Sequence, residues 1–297
     1  MRTTPARRSG VALGLGVVAI SFAVILFREA QPTHPLVAAG IRLAVAAVVL
    51  APITYRGFRR GALPGRVLRT ALAAGVLYAF HFGLWVWSLE LTTVAASVTL
   101  VTATPLVLAT VALVTGADRP SRRTWAALGL ACVGVATIGG FDVGATPGAL
   151  LGDGLAFGGA LAMAGYLVLV RRLGDLDVWP FAGVATAVGA LLLLGCAFVL
   201  GIPIEPASPT AFTYLVLAAL IPQLVGHGAL TWALRHTTPT VVGIATVGEP
   251  VGATLLAWAL LGEVPTAGII AGCAVTLAGV ALAVGHRAPS AAETGAG

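Results

Sequence analysis

Thr246-Val247-Gly248-Glu249-Pro250 lies in the middle of an apolar run from about 239 to 261, and its reading decides the fold. The run can cross a bilayer, which takes about 20 helical residues. A carboxylate at the centre of a span costs about 2.5–3.5 kcal/mol on insertion scales. The proline behind it removes a backbone donor and bends a helix. Two costs at one point imply a role that offsets them.

The rest of the chain is the same kind of material. Of 297 residues, 58% are hydrophobic and 9% charged, against about 25% charged in a soluble domain, so the chain is an integral membrane protein. Apolar runs bounded by arginines, prolines and polar turns predict helices over 10–27, 35–53, 67–88, 94–115, 124–141, 150–170, 178–200, 211–233, 239–261 and 266–285. Ten such spans use about two thirds of the chain and leave no room for a soluble domain. The links 89–93 and 234–238 are short enough to force antiparallel neighbours.

A net charge of +6 would suggest a nucleic-acid partner in a soluble protein. Here all 17 basic residues are arginines, most of them in short loops, where positive charge sets orientation, and no nucleic acid is expected. With the N-terminus in the cytoplasm, every arginine but two falls inside; Arg28 is outside and Arg42 lies within a helix. Both termini are therefore expected to be cytoplasmic. Arg2, Arg7 and Arg8 before an apolar run imitate a signal peptide, but Arg28-Glu29 stands where a cleavage site would be, so an uncleaved first helix is expected. The Ala/Gly-rich tail 287–297 is expected to be disordered. Cys132, Cys196 and Cys273 fall far apart inside apolar runs and read as small core hydrophobes.

The chain repeats itself. A shift of 145 residues lays Trp87-Ser88-Leu89-Glu90-Leu91-Thr92-Thr93 on Trp232-Ala233-Leu234-Arg235-His236-Thr237-Thr238, and without a gap Pro105 on Pro250, Pro120 on Pro265 and Gly134-Val135 on Gly279-Val280. Repeats of an odd number of helices must sit upside down relative to each other in the membrane. The expected organisation is an all-α membrane protein of ten transmembrane helices in two inverted five-helix repeats, 1–145 and 146–286. In secondary transporters such repeats enclose a site at the midplane.

Thr92-Thr93-Val94-Ala95-Ala96 through Thr104-Pro105 to Gly116-Ala117-Asp118, and Thr237-Thr238-Pro239 through Glu249-Pro250 to Leu261-Gly262-Glu263, each precede a glycine-rich helix. In these segments, and over about 10 to 285, the chain resembles the EamA-type ten-helix members of the drug/metabolite transporter superfamily. Arg42 in Gly40-Ile41-Arg42-Leu43 resembles the arginine of their second helix, whereas Ile20-Ser21-Phe22 stands where a tryptophan-glycine pair is often found. The resemblance implies alternating-access transport of small molecules, commonly export of amino acids or other metabolites across the cytoplasmic (plasma or inner) membrane.

Helical phase shows where polar groups converge. At ~100° per residue, Thr93, Ser97 and Thr104 share an arc of about 60°, and Thr238, Thr246 and Glu249 a comparable one. Tyr78, His81 and Trp85 line one face of the third helix, and Gln223 and His227 one face of the eighth. Of these, Tyr78, His81, Trp85, Ser97, Thr104, Gln223, His227, Thr246 and Glu249 form with Arg42 the expected substrate and proton pathway, and Pro105 and Pro250 its kinks. The plainer readings are hydroxyls bonded to their own helix backbone, an interfacial aromatic belt for Trp85, Trp87 and Trp179, and histidines in helix–helix hydrogen bonds. Glu249 itself has three readings: it carries a proton or contacts substrate, it pairs with Arg42 as a structural lock, or it serves the backbone freed by Pro250. Gly154 with Gly158 and Gly268 with Gly272 have the spacing of close-packing seams, read here as seams inside the protomer, with a monomer or weak homodimer expected.

Other functions fit less well. A P-loop needs a lysine the chain lacks, so no nucleotide or other cofactor is expected, and no acidic or cysteine ligand spacing near His81 or His227 suggests a metal. An intramembrane aspartyl protease needs a second aspartate beside Asp153; a serine enzyme needs a glycine-flanked serine with a histidine. A channel needs rings of charge or a carbonyl filter. The other transport reading is a uniporter or exchanger of nucleotide-sugar or phosphorylated metabolites; one charge of each sign, Arg42 and Glu249, suits a zwitterion better.

Overall fold

The structure, a computed structural model, describes residues 5–92, 94–116, 120–139, 148–174, 176–262 and 264–284. The tail 287–297, Thr93, Asp118 and Glu263 lie outside these. All regular structure among the described residues is helical. The first half holds α1 (Pro5–Ser21), α2 (Ala23–Glu29), α3 (Pro35–Arg59), α4 (Gly65–Leu91), α5 (Val94–Val101), α6 (Thr104–Thr115) and α7 (Arg122–Gly139). The second holds α8 (Ala149–Arg171), α9 (Val178–Val199), α10 (Pro209–Ala218), a π-helical segment Ala219–His227, α11 (Gly228–Ala233), α12 (Pro239–Thr246), α13 (Glu249–Leu261) and α14 (Ala267–Val284).

Among the described residues, eight helical runs are long and apolar enough to cross a membrane. The expected fourth and fifth spans are the two that fall short. The fourth is split into α5 and the shorter apolar α6, and α7 spends its first two residues on arginines. The helix starts follow local chemistry. Ser208 and Thr238 accept hydrogen bonds from the backbone amides of Ala211 and Val241, and Pro209 and Pro239 follow them, where the missing amide costs nothing. Gly116 and Gly262 close α6 and α13 at φ 71° and 72°, the left-handed turn in which a side chain is strained.

Packing repeats between the halves. α3 lies along α9, and α7 along α14. α4 packs on α8, and α1 packs correspondingly on the π-helical segment and α11. The α7–α14 contact is closed by Gly134 and Gly279, the residues paired in the 145-residue register. A Cβ at Gly279 would stand 2.6 Å from the amide nitrogen and 2.7 Å from the carbonyl oxygen of Ala131 and Ala127 respectively. Gly272 and Gly158 also face other helices of the same chain, Gly272 meeting the Gly134 carbonyl and Gly158 meeting Leu84, whereas Gly154 faces open space. We expect Gly279→Val to destabilise the protein by about 1–3 kcal/mol, read as a lowered unfolding temperature in detergent, while Gly154→Ala leaves that temperature unchanged.

The cysteine expectation fails in part. Cys196 is exposed on α9, while Cys132 and Cys273 are half-buried, and all three are free. In lipid an apolar side chain gains nothing by facing the interior, so apolar character does not specify burial.

Arginines gather at one end of the bundle. Arg60, just past α3, pairs with Asp177, just before α9. Arg66 of α4 donates to the Arg172 carbonyl after α8, and Arg171 donates to the Leu234 carbonyl after α11.

Candidate functional site

At the expected kinks of Pro105 and Pro250 the α-helix gives way to one tightened turn and then resumes. α5 ends at Val101 and α6 begins at Thr104; α12 ends at Thr246 and α13 begins at Glu249, the same places in the 145-residue register. The amides of Ala103, Val247 and Gly248 each bond to a carbonyl three residues back, so the chain tightens into a turn before it restarts. Each proline then occupies the second position of a new helix, where its missing amide is one of the unpaired first-turn donors. Glu249 is the first residue of α13, and a half-helix N-terminus favours a negative charge by about 0.3–1 kcal/mol. Ser21, buried where α1 gives way to α2, donates to Val17 at 2.8 Å and lies 3.3 Å from the Glu249 backbone carbonyl. Thr104, the counterpart of Glu249, lies 3.4 Å from the Ala160 carbonyl on α8. Each restart is thus held to a helix of the other half.

Between the halves lies a cavity of about 60 Å³, room for about four to six waters. Arg42, His81, Trp85 and Thr104 line it from the first half, and His227, Thr246 and Glu249 from the second. Seven of the expected pathway residues therefore meet at one place. Thr102, Met163, Tyr166 and Thr231 also face it and were not anticipated. For Tyr166 the signal was present, a phenol in an apolar run with Met163 one turn before it.

Arg42 is 1% exposed, and none of its three guanidinium nitrogens has a hydrogen-bond partner. Its guanidinium carbon lies 4.4 Å from the Phe82 ring centroid and 5.6 Å from that of Phe27, contacts that stabilise a desolvated cation. Glu249 is half-buried, facing the cavity. No hydrogen bond joins it to Arg42, so the lock, one of the three readings of Glu249, has no hydrogen bond behind it. A buried guanidinium without partners leaves desolvation uncompensated, and its unused donors point to a ligand or water in the cavity.

The other groups divide. His81 Nδ1 bonds the Gly159 carbonyl at 2.9 Å, the helix–helix role, while the ring still borders the cavity. His227 lies among Tyr78, Phe82 and His81. Trp85 is buried, so the interfacial belt does not describe it, and its indole nitrogen is unpartnered; Trp179 is exposed. Thr246 donates to Gly243 of its own helix at 2.7 Å and Thr104 to Val101 at 3.0 Å, which makes both hydroxyls helix-satisfied residents of the wall. Three expected residues do not border the cavity. Ser97 is buried in a 2.6 Å bond with Ser88. Tyr78 stands behind Tyr166, stacked at 4.3 Å. Gln223 borders a separate, smaller chamber.

Asp153, read as isolated, is buried at the start of α8 and accepts a 2.8 Å bond from Thr92 at the end of α4. Removing that donor by Thr92→Val strands a buried carboxylate, and we expect a loss of about 1–3 kcal/mol in stability, measured as a lowered unfolding temperature that Asp153→Asn partly restores.

Comparisons with known proteins agree with this geometry. No curated protein matches the chain. A solved structure described as "Crystal structure of protein" superposes with a TM-score of 0.76 at 18% sequence identity, over 95% of this chain and 98% of that one, which is similarity of fold. The model of the EamA-like transporter family matches twice, over residues 8–140 and 150–285, so that one match covers each set of helices flanking the cavity. The chain belongs to the EamA-like transporter family.

Proposed function

We propose that the protein is a secondary active transporter that exports small organic metabolites, amino acids or drugs among them, by alternating access, with Glu249 exchanging a proton. The observation that carries this reading is the pair of opposite charges on one cavity between the halves, Arg42 with no hydrogen-bond partner and Glu249 not bonded to it. A zwitterion fits that pair, its anionic group on Arg42 and its cationic group displacing the proton of Glu249. Substrate and proton then compete for one carboxylate, so they cross in opposite directions and a proton gradient directed inward drives export. The full arrangement in this reading is ten spans in two inverted repeats, 1–145 and 146–286, with the arginine-rich end and both termini in the cytoplasm of a cell whose plasma or inner membrane holds the protein. A nucleotide sugar or a phosphorylated metabolite would call for more positive charge than Arg42 beside Glu249 offers.

The test is counterflow. Purified protein in liposomes preloaded with one unlabelled metabolite at a time is expected to take up trace labelled metabolite saturably, with a transient overshoot when the lumen holds a substrate. Conductance in unitary steps, without saturation or counterflow, would make it a channel.

A further inference from the structure

We infer that the path has a second station, a small chamber around Gln223, and that Tyr78, Tyr166 and Thr231 form the wall that opens between it and the central cavity. The chamber measures about 10 Å³, room for about one water. Tyr78, Gln223, Thr186 and Trp179 border it, and His227 and Thr231 border both it and the central cavity. Tyr166 faces the central cavity and Tyr78 the chamber, with the two rings stacked at 4.3 Å and 17°. The ring pair is therefore a partition one side chain thick on each face. Its latch is the bond from the Tyr166 hydroxyl to the Thr231 hydroxyl at 2.9 Å, which the Tyr78 hydroxyl joins through both partners. A bond between two neutral hydroxyls has a small net strength and can open.

The chamber has the chemistry of a binding place. Gln223 is 4% exposed, and its side-chain carbonyl oxygen has no partner. A buried acceptor left bare in a chamber walled mostly by apolar groups calls for a hydrogen-bond donor, a water or the hydroxyl or ammonium group of a solute. Gln223 and His227 ride on the π-helical segment Ala219–His227, which contains Pro222. Its wider hydrogen-bond pattern marks a place where the helix can change register. Trp179, itself exposed, also borders the chamber, and a Cβ on Gly228 would stand 3.0 Å from its ring.

Position gives the station its side. Tyr78 is nearer than His81 and Trp85 to the end of α4 that carries Arg66 and Arg69. Trp179 begins α9, next to Asp177 and its partner Arg60. The chamber thus lies between the central cavity and the arginine-rich end, the cytoplasmic end in the function proposed above, on which the direction of the path rests.

Cysteine accessibility tests the wall without any substrate. In a background with Cys132, Cys196 and Cys273 replaced by alanine, Ala182→Cys reports the chamber and Val101→Cys the central cavity. The probe is a charged, membrane-impermeant methanethiosulfonate applied to each face of oriented vesicles. Ala182→Cys is expected to react from the arginine-rich face, at one rate with or without Tyr166→Phe. Val101→Cys is expected to react from that face about fivefold faster when Tyr166→Phe removes the latch, the factor one such hydrogen bond gives. Thr231→Val, which removes the same bond from the other partner, should give the same increase. Equal rates at Val101→Cys with and without the latch, an equal rise at both cysteines, or reaction of Ala182→Cys only from the opposite face would overturn the inference. Loss of transport with this labelling intact would instead count against the proposed function alone.

Discussion

In Glu249→Gln, accumulation driven by a pH gradient is expected to disappear while substrate exchange continues at a raised KM, the cationic group having lost its carboxylate partner. Wild-type protein exchanging one proton per substrate should concentrate substrate about tenfold for each unit of pH difference, since one unit is about 1.4 kcal/mol per proton. The variant should only equilibrate it. Glutamine keeps the size and hydrogen-bonding capacity of the side chain at the head of α13 and removes the titration. His81 and His227 also face the cavity, so His227→Gln is the control. If the histidine carried the proton, that variant would lose the gradient response and Glu249→Gln would keep it. The readout is steady-state accumulation in liposomes at fixed pH differences.

Replacing Arg42 with glutamine is expected to raise the KM for a carboxylate-bearing substrate by about 10- to 150-fold, the loss of a charge-assisted hydrogen-bond pair worth about 1.5–3 kcal/mol. A substrate analogue without the carboxylate should change little. The same variant separates two roles that a single activity assay would merge. If Arg42 were a structural lock, removing it would cost about 3–5 kcal/mol by stranding a buried partner. Its guanidinium nitrogens have no partners, so the unfolding temperature of Arg42→Gln is expected to stay level or rise. Arg42→Lys is not a rescue, because a point charge lacks the planar fork that the ring of Phe82 supports.

Much of this was legible in the sequence for identifiable reasons. Membrane helices announce themselves because lipid leaves the backbone few choices, and the 145-residue register makes Glu249 the counterpart of Thr104. Six pathway residues found by helical phase, and Arg42 found by resemblance, do meet at the cavity. Phase gives the direction of a side chain but not its depth, which is why Tyr78 was not seen to stand behind Tyr166 nor Gln223 to face another chamber. A proline in an apolar run predicts a bend. Whether the helix only bends or also tightens depends on turn bonds such as Gly248 to Ala245, which no residue pattern encodes. Cys196 shows the opposite limit, since an apolar run fixes the span and leaves open which face meets lipid.

The most direct measurement is the number and direction of protons moved per substrate in liposomes holding a pH-sensitive dye, with wild-type protein and Glu249→Gln in parallel. One proton moving opposite to each substrate in the wild type, and none in a variant that still exchanges substrate, is the expected result. Equal substrate-coupled proton movement in both, or substrate movement without protons in the wild type, would contradict it.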